Sequence, residues 1–301
     1  EISCSLVGSE MCIRDSNISV QAALCLCLAG TCSCQHFEEP KMKIIPDPPT
    51  SSLIYYLPFD NESVADSSLY SFPVTGSAGI TFTEGVSGTA LQSAPNEYVL
   101  INTLKTDYYG LDLHKICSEM EGFTFSCWMY LKKAEATGGI ALFSIPNLSG
   151  SEWTSNLDIL IDAPGADGSL PVALHVDNYR TGDARSLWVA KDNTPEIYMA
   201  DMLDRWVHLT IRYSGKSSTV TYFRDGEKVF SKKYPDFGTL KFADTGAVLV
   251  GAFQNITTPP VAAGAGKQGW EATFPGCLDQ LRFYNRFLTD KEIKELFNSK
   301  R

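Results

Sequence analysis

The chain has 301 residues, of which 44% are hydrophobic and 20% are charged, and its formal net charge is −10. An acidic body without a basic cluster repels nucleic acid and anionic lipid, so the composition argues against both as partners held by charge. Six of the nine cysteines lie within residues 1–34. The other three, Cys117, Cys127 and Cys277, allow at most one internal disulfide, and the sequence leaves its pairing open. No C-x-x-C pair occurs, which argues against a zinc cluster.

Residues 1–16 differ in composition from everything that follows. The letters SEMCIRDS look like translated adaptor sequence, and a natural N-terminal extension is the alternative. Residues 17–34 then contain an almost wholly apolar run of thirteen residues, Ile18–Gly30. A membrane span needs about 20 residues, so this run is too short. It suits the apolar region of a signal peptide whose basic start is missing.

The residues Thr31-Cys32-Ser33-Cys34 resemble the processing site of bacterial, Bacteroidetes-like surface lipoproteins, with Cys34 as the lipidated residue. Cys32 is the alternative acceptor, and cleavage of a secretory signal without lipidation is a third interpretation. Residues 35–52 hold four prolines and mixed charge, which predicts an extended tether. We therefore expect an exported protein, at the outer membrane or cell surface or in the periplasm. It would contact the membrane only through a lipid anchor.

Residues 53–301 contain no second linker, and we predict that they form one all-β domain. Apolar or alternating runs between turn signals predict strands. These run over Leu53–Phe59, Gly79–Phe82, Ala90–Ile101, Phe123–Leu131, Ile140–Ile145, Asn156–Ile161, Val172–Val176, Trp206–Tyr213, Thr219–Phe223, Lys228–Lys232, Ala247–Ala252 and Leu278–Tyr284. Asp225-Gly226 predicts a hairpin turn. Many short strands predict a two-sheet antiparallel β-sandwich of the jelly-roll type.

The last predicted strand alternates, with Leu281 and Phe283 on its apolar face. Asp279 is in phase with that face, where a lone carboxylate is costly to bury. We therefore expect a cation or a set of hydrogen-bond donors to meet it. After the strand, Thr289 and Glu292 form a T-x-x-E capping box, which predicts a short C-terminal helix.

The end of the chain, FPGCLDQLRFYNRFLTDKEIKELF, resembles the closing strand of the LamG-like (concanavalin A-like lectin/glucanase) jelly rolls. That family's pattern reads roughly G-x-I-D-E-V-R-I-Y-N-R-A-L-S-x-x-E-I. Further segments resemble its landmarks in the family's order, namely Tyr55–Asp60, Gly85–Leu91, Tyr98–Ile101, Gly122–Lys132, Arg205–Tyr213 and Phe223–Val229. The resemblance covers roughly residues 53–298. It implies a concanavalin A-like jelly roll with a short C-terminal helix.

The resemblance also implies a bound calcium ion. Carried over to this chain, the family's site comprises Asp279 together with backbone oxygens near Asp60 and Gly88. Calcium is a hard cation that prefers such oxygen ligands. The alternative is that Asp279 caps backbone N–H groups or pairs with Arg282 or Lys291.

A hydrolase alternative rests on the segment NLDILID, Asn156–Asp162. Glucanases of the superfamily carry E-x-D-x-E on one strand, whereas here Asp158 and Asp162 hold the outer positions and Leu160 replaces the middle aspartate. Residues four apart on a straight strand are about 13 Å apart. Retaining glycosidases need their two carboxyl groups about 5 Å apart. We predict that the chain is not an enzyme.

Glycan binding needs aromatic faces with planar polar groups beside them. Trp270, in a Gly-rich segment, is expected to form a mobile lip. The whole predicted ligand-binding patch is Asp177, Asn178, Tyr179, Arg180, Trp188 and Trp270.

The sequence also suggests positions for the remaining tryptophans and for two of the histidines. Trp153 lies in a polar stretch, whereas Trp128 and Trp206 fall within strand motifs and are expected in the core. His208 alternates with the apolar residues of its strand, so it is predicted to face solvent. His175 is expected to be an exposed strand residue, with a ligand contact as the alternative.

These observations predict an exported, non-catalytic, lectin-like cell-surface module that is stabilised by calcium. The expected partner is a glycan or polysaccharide. A protein-binding or adhesion module of a surface assembly is the main alternative, and a glycoside hydrolase is the weaker one.

Overall fold

The fold is a sandwich of two eight-stranded antiparallel sheets, seen in a computed structural model that describes residues 50–104, 107–262 and 266–300. It confirms the predicted fold class. The predicted N-terminal extension, the signal segment with Cys34 and nearly all of the tether lie outside the described residues. Within those residues, no helix is both long and apolar enough to cross a membrane.

Strands make up most of the regular structure. In chain order they are β1 (Leu53–Leu57), β2 (Val74–Gly76), β3 (Thr81–Glu84), β4 (Thr89–Gln92), β5 (Val99–Asn102), β6 (Asp107–Tyr108), β7 (Leu111–Asp112), β8 (Glu119–Met120), β9 (Gly122–Tyr130), β10 (Ile140–Ile145), β11 (Leu157–Ile161), β12 (Leu170–Asn178), β13 (Arg185–Val189), β14 (Tyr198–Met199), β15 (Trp206–Ser214), β16 (Thr219–Arg224), β17 (Glu227–Lys233), β18 (Leu240–Lys241), β19 (Ala247–Val250) and β20 (Cys277–Tyr284). Among the residues that the structure describes, the α-helices are α1 (Leu113–Ser118) and α2 (Asp290–Ser299).

The first sheet has the order β17-β16-β15-β9-β20-β4-β3, and β1 also pairs with β20. The second sheet has the order β13-β12-β11-β10-β19-β5-β2, and β14 pairs with β12. Strand β20, near the end of the chain, lies between β9 and β4 and therefore occupies a central position in the first sheet. Two short ribbons, β18-β8 and β6-β7, lie outside these sheets.

The core lies between the two inner faces. Period-two alternation places aromatic side chains there from both sheets. The ring of Phe143 on β10 lies 5.1 Å from that of Phe125 on β9 and 5.4 Å from that of Phe283 on β20. All three side chains are at most 1% exposed. The sheets are therefore joined by direct aromatic contact.

Most predicted strands are confirmed, with ends that differ by one or two residues. The Asp225-Gly226 hairpin is also confirmed, since it joins β16 to β17. The prediction of one strand over Ala90–Ile101 is wrong, because that range holds β4 of the first sheet and β5 of the second. Pro95 and Asn96, the latter at φ 71°, break the run. Helix α1 was not predicted, and neither were strands β2, β6, β7, β8, β13, β14 and β18.

Helix α2 packs on the outer face of the first sheet. Its Phe297 ring stacks 5.5 Å from that of Trp128, and Ile293 packs with Phe223 in a small apolar cluster. The predicted capping box is confirmed, because the Thr289 hydroxyl accepts a hydrogen bond from the Glu292 N–H and the Glu292 carboxylate accepts one from the Thr289 N–H. Trp128 is buried as expected, but beneath this helix rather than between the sheets.

The prediction that His208 faces solvent is wrong. Its side chain is 2% exposed, 5.1 Å from the Trp128 ring and 6.0 Å from that of Phe297. Alternation correctly put it on the outer face, but α2 covers that face. Burial, followed by the positive charge of Arg282, lowers the pKa of His208 to about 3, so the imidazole is neutral and hydrogen-bonds with the Ser126 hydroxyl at 2.9 Å.

Substitution of Thr289 by alanine is expected to destabilise the chain by about 1 kcal/mol, because it removes the N-cap of α2. Urea unfolding measures the loss. Thr289→Ser keeps the hydroxyl and serves as the matched control. Equal destabilisation by both variants would show that the cap hydrogen bond is not the cause.

Candidate functional site

Strands β12 and β13 bring several predicted ligand-binding residues to the outer face of the second sheet. His175 is paired with Trp188 across the two strands, and Asp177 is paired with Ser186. The ring of Trp188 lies over that of His175, with centroids 4.3 Å apart. The neighbours Leu174 and Val176 point to the core, as strand alternation requires.

The prediction of an exposed His175 is wrong, because its side chain is 1% exposed and lies between two carboxylates. Its Nδ1 is 3.3 Å from Asp158 Oδ2, and its Nε2 is 3.1 Å from Asp177 Oδ1. Both ring nitrogens therefore have acceptors, which is the arrangement that an imidazolium needs. Burial opposes the charge, but the hydrogen bonds to Asp158 and Asp177 outweigh it and raise the pKa of His175 to about 9.

Hydroxyl and backbone donors satisfy the two carboxylates further. Asp158 accepts hydrogen bonds from the Ser144 hydroxyl at 2.7 Å and the Ser155 N–H at 2.8 Å. Asp177 accepts one from the Ser186 hydroxyl at 2.5 Å. Asp158, His175 and Asp177 thus form a carboxylate–imidazolium–carboxylate arrangement with His175 beneath Trp188, and we call it the charged floor.

Three tryptophans from separate segments meet here, beginning with Trp188 over His175. We call Trp153, Trp188 and Trp270 the tryptophan cluster. The ring of Trp153 is 5.8 Å from that of Trp188 and 4.8 Å, edge-on, from that of Trp270. Trp270 remains 45% exposed. Its close approach depends on Gly139, where a Cβ would lie 2.2 Å from the Trp270 carbonyl oxygen. The cluster thus presents an aromatic surface to solvent over a polar base.

The rest of the predicted patch lies further along β12 and is only partly continuous with the cluster. Asn178 is buried and holds the chain in place, since its side-chain amide donates to the carbonyl oxygens of Phe237 and Thr239. The Tyr179 hydroxyl accepts a hydrogen bond from Asn147 at 3.1 Å. Arg180 donates to the Leu240 carbonyl oxygen and lies 3.8 Å from Glu119.

The candidate hydrolase carboxylates do not share a site. Asp158 is fully buried and engaged with His175, so a substrate cannot reach its carboxylate in this structure. Asp162 lies beyond the end of β11 and pairs with Lys191 at 3.6 Å. Asp158, which suggested catalysis, is therefore one of the two carboxylates of the charged floor.

A second candidate site lies where β20 meets the turn between β3 and β4. The expectation that Asp279 shares the apolar face of β20 is wrong. Gln280, at φ 50°, forms a bulge, so Leu278 and Leu281 both face the core while Asp279 lies opposite Trp128 on the outer face. Asp279 is nevertheless completely buried.

The expected donors to Asp279 are present. Its Oδ2 accepts hydrogen bonds from the N–H groups of Val86 at 2.8 Å and Ser87 at 3.1 Å. Its Oδ1 is also buried, yet it has no hydrogen-bond partner among the residues described. Burial, with a smaller contribution from the Asp60 carboxylate, raises the pKa of Asp279 to about 6, although the backbone donors lower it.

These residues fit a calcium ion. The carboxylate of Asp60 lies against Gly88, where a Cβ would be 2.0 Å from Asp60 Oδ1, so any larger residue would fill the cradle. A hard cation would satisfy the orphaned oxygen of Asp279 and neutralise both carboxylates. In the part of the chain that the structure describes, no three His, Cys, Asp or Glu side chains are grouped to hold a metal. The ion would therefore also need backbone oxygens.

The sequence matches a family model over residues 105–294, which is more than half of the chain, and the model is that of the "Concanavalin A-like lectin/glucanases superfamily". The chain belongs to the concanavalin A-like lectin/glucanase superfamily. The match lies inside the domain that the sequence motifs predict, and it confirms the LamG-like resemblance. A comparison with curated protein sequences finds no match.

Solved structures share the concanavalin A-like fold at low identity. The binding domain of paraclostridial mosquitocidal protein 1 is 16% identical, with a TM-score of 0.51, over 82% of this chain and 52% of that one. The binding domain of botulinum neurotoxin DC in complex with rat synaptotagmin II is 14% identical, with a TM-score of 0.52, over 83% and 52%.

The third structure is the ligand-binding domain of botulinum neurotoxin serotype D in complex with N-acetylneuraminic acid. It is 12% identical, with a TM-score of 0.54, over 83% of this chain and 51% of that one. The chain spans about half the length of these structures. At such identities the likeness establishes a shared fold.

Proposed function

We propose that this chain is a non-catalytic binding module that takes carbohydrate at the tryptophan cluster. The single observation that carries the proposal is the exposed ring of Trp270, set edge-on to Trp153, which in turn packs against Trp188 over the charged floor. Sugar C–H faces stack on such rings, while carboxylates accept hydrogen bonds from sugar hydroxyls. Asp177, which is 9% exposed, is the carboxylate of the floor nearest to solvent.

The burial of Asp158 favours binding over hydrolysis. Catalysis of glycoside hydrolysis needs two carboxyl groups that reach the same bond. Here Asp158 is fully buried and bonded to His175, and Asp162 is paired with Lys191. The solved structures of similar fold described above are binding domains, and one of them is in complex with N-acetylneuraminic acid.

Protein binding is the second candidate function. It is favoured by the relative that is in complex with rat synaptotagmin II, since the same fold there engages a protein. Export, calcium binding and lipid attachment at Cys34 complete the proposal as predictions from the sequence.

A broad glycan array, probed with calcium-loaded protein, tests the carbohydrate proposal. We expect saturable binding to a related set of sugars, weakened roughly tenfold by Trp270→Ala or Trp188→Ala through the loss of stacking. Tyr109→Ala is the matched control, because Tyr109 is an exposed aromatic residue outside the cluster. A blank array from folded protein would overturn the carbohydrate proposal and favour a protein partner.

A further inference from the structure

A groove of about 480 Å³ lies on the outer face of the first sheet, on strands β15, β16 and β17. Cross-strand pairing puts Arg212, Thr221 and Ser231 in one row across the sheet, and Ser214 and Thr219 in the next. Side chains in such rows point to the same face. We call this the basic groove, and it is lined by Arg212, Ser214, Lys216, Ser217, Thr219, Thr221, Lys228, Ser231 and Phe287.

The chemistry of the basic groove differs from that of the chain as a whole. Its lining contains three cations and five hydroxyl side chains, and one carboxylate, that of Asp290, pairs with two of these cations from beside the lining. The groove therefore keeps an excess of positive charge, although the net charge of the chain is −10. Cations concentrated in a groove raise the local concentration of anions. Hydroxyls beside them can donate to sulfate or carboxylate oxygens and to sugar hydroxyls.

The carboxylate of Asp290 already binds two of the three cations of the groove. Arg212 Nη2 lies 2.6 Å from Asp290 Oδ1, and Lys228 Nζ lies 3.2 Å from Asp290 Oδ2. The guanidinium of Arg212 is held in place by the Leu288 carbonyl oxygen and by the Phe223 ring, whose centroid is 4.8 Å away. These two cations are therefore placed to divide one anionic group between them.

The remaining cation is uncommitted. Lys216 makes no ion pair with any described residue, and it is exposed at the turn between β15 and β16. At the lip of the groove, Phe287 leaves 44% of its side chain exposed. An exposed ring beside cations and hydroxyls combines a stacking surface with anion recognition.

We propose that the basic groove binds an acidic oligosaccharide. One of its carboxylate or sulfate groups would lie on Lys216, another would take the place of the Asp290 carboxylate on Lys228 and Arg212, and one sugar face would lie on Phe287. The tryptophan cluster lies on the other sheet, so this site does not depend on the function proposed there. The two sites would take chemically different ligands.

Calorimetric titration of the full chain with tetragalacturonate and with a sulfated galactose tetrasaccharide tests the proposal. We expect at least one of them to bind, with affinity that falls as salt is raised. The uncharged methyl ester of tetragalacturonate is expected not to bind. The double variant Lys216→Gln/Lys228→Gln should weaken binding roughly tenfold or more, and Phe287→Ala should weaken it as well.

A double variant with the same charge change, Lys133→Gln/Lys241→Gln, is the matched control, because both lysines are exposed outside the groove. Trp270→Ala is expected to leave this binding unchanged, which separates it from binding at the tryptophan cluster. Equal loss in both lysine variants, equal affinity for the methyl ester, equal affinity for inorganic sulfate alone, or no binding of either acidic tetrasaccharide would overturn the proposal.

Discussion

Substitution of His175 by glutamine is expected to lower the free energy of unfolding by about 3–5 kcal/mol at pH 6.5. The imidazolium of His175 lies between the buried carboxylates of Asp158 and Asp177. Glutamine carries no charge, so two buried carboxylates would be left without a cation. Urea unfolding of the wild type and the variant measures the difference.

The pH dependence of this effect follows from the pKa of His175. That pKa is about 9 in the folded chain and 6.5 for an unperturbed histidine. The folded state therefore holds the proton more tightly, and the stabilisation is fully present below pH 6.5 and is lost as the pH rises through 9. Wild-type stability should fall across this window, and His175→Gln should lack that component.

His114→Gln is the control, because His114 is exposed on α1 and contacts neither carboxylate. It should keep both the stability and the pH dependence of the wild type. An identical slope between pH 6.5 and 9 in wild type and His175→Gln would show that His175 is not charged between its two partners.

Calcium is expected to raise the melting temperature of the wild type by about 5–10 °C at a concentration 100-fold above its dissociation constant. The physical reason is the orphaned, buried Oδ1 of Asp279 beside the Asp60 carboxylate. Without the ion, folding holds the pKa of Asp279 at about 6, above its ordinary 3.8, so ionisation destabilises the fold as the pH rises through this range. A bound calcium ion would offset the loss of stability that ionisation of Asp279 causes.

The variant Asp279→Asn separates the metal from the hydrogen bonds. Its side-chain oxygen can still accept from the Val86 and Ser87 N–H groups, so in chelator at pH 7.5 it should be at least as stable as the wild type. It should show no calcium response. Asp236→Asn, in an exposed loop, is the control that should respond like the wild type. An unchanged melting temperature of the wild type on chelation would leave Asp279 as a cap of the turn alone.

The fold was predictable because it depends on local patterns. Alternation over Trp206–Tyr213 predicts a half-buried strand whatever its partners are, and β15 spans that range with one more residue. The capping box of Thr289 and Glu292 involves neighbours in sequence, so it too could be identified. Ala90–Ile101 was misjudged because one apolar run crosses from one sheet to the other through Pro95 and Asn96.

The candidate site was predictable only in part, because burial of an outer face depends on distant residues. Alternation placed His208 on an outer face, and His175 was expected to be an exposed strand residue. Neither expectation could show that α2 covers the first side chain and that Trp188 covers the second. Trp188 and Trp270 were identified as ligand-binding candidates. Their connection through Trp153 could not be predicted, because it joins three separate segments of the chain. The pattern of apolar residues does not indicate the bulge at Gln280, so Asp279 was assigned to the wrong face of the strand.

The indole N–H resonances of the five tryptophans test the central claim, carbohydrate binding at the tryptophan cluster, most directly. A ¹⁵N–¹H spectrum of calcium-loaded protein would be recorded during titration with the sugar that binds best on the array. We predict that the resonances of Trp153, Trp188 and Trp270 shift with a common dissociation constant. Those of Trp128, beneath α2, and Trp206, on the other sheet, should stay in place. Saturable binding that leaves the three cluster resonances unmoved would contradict the account.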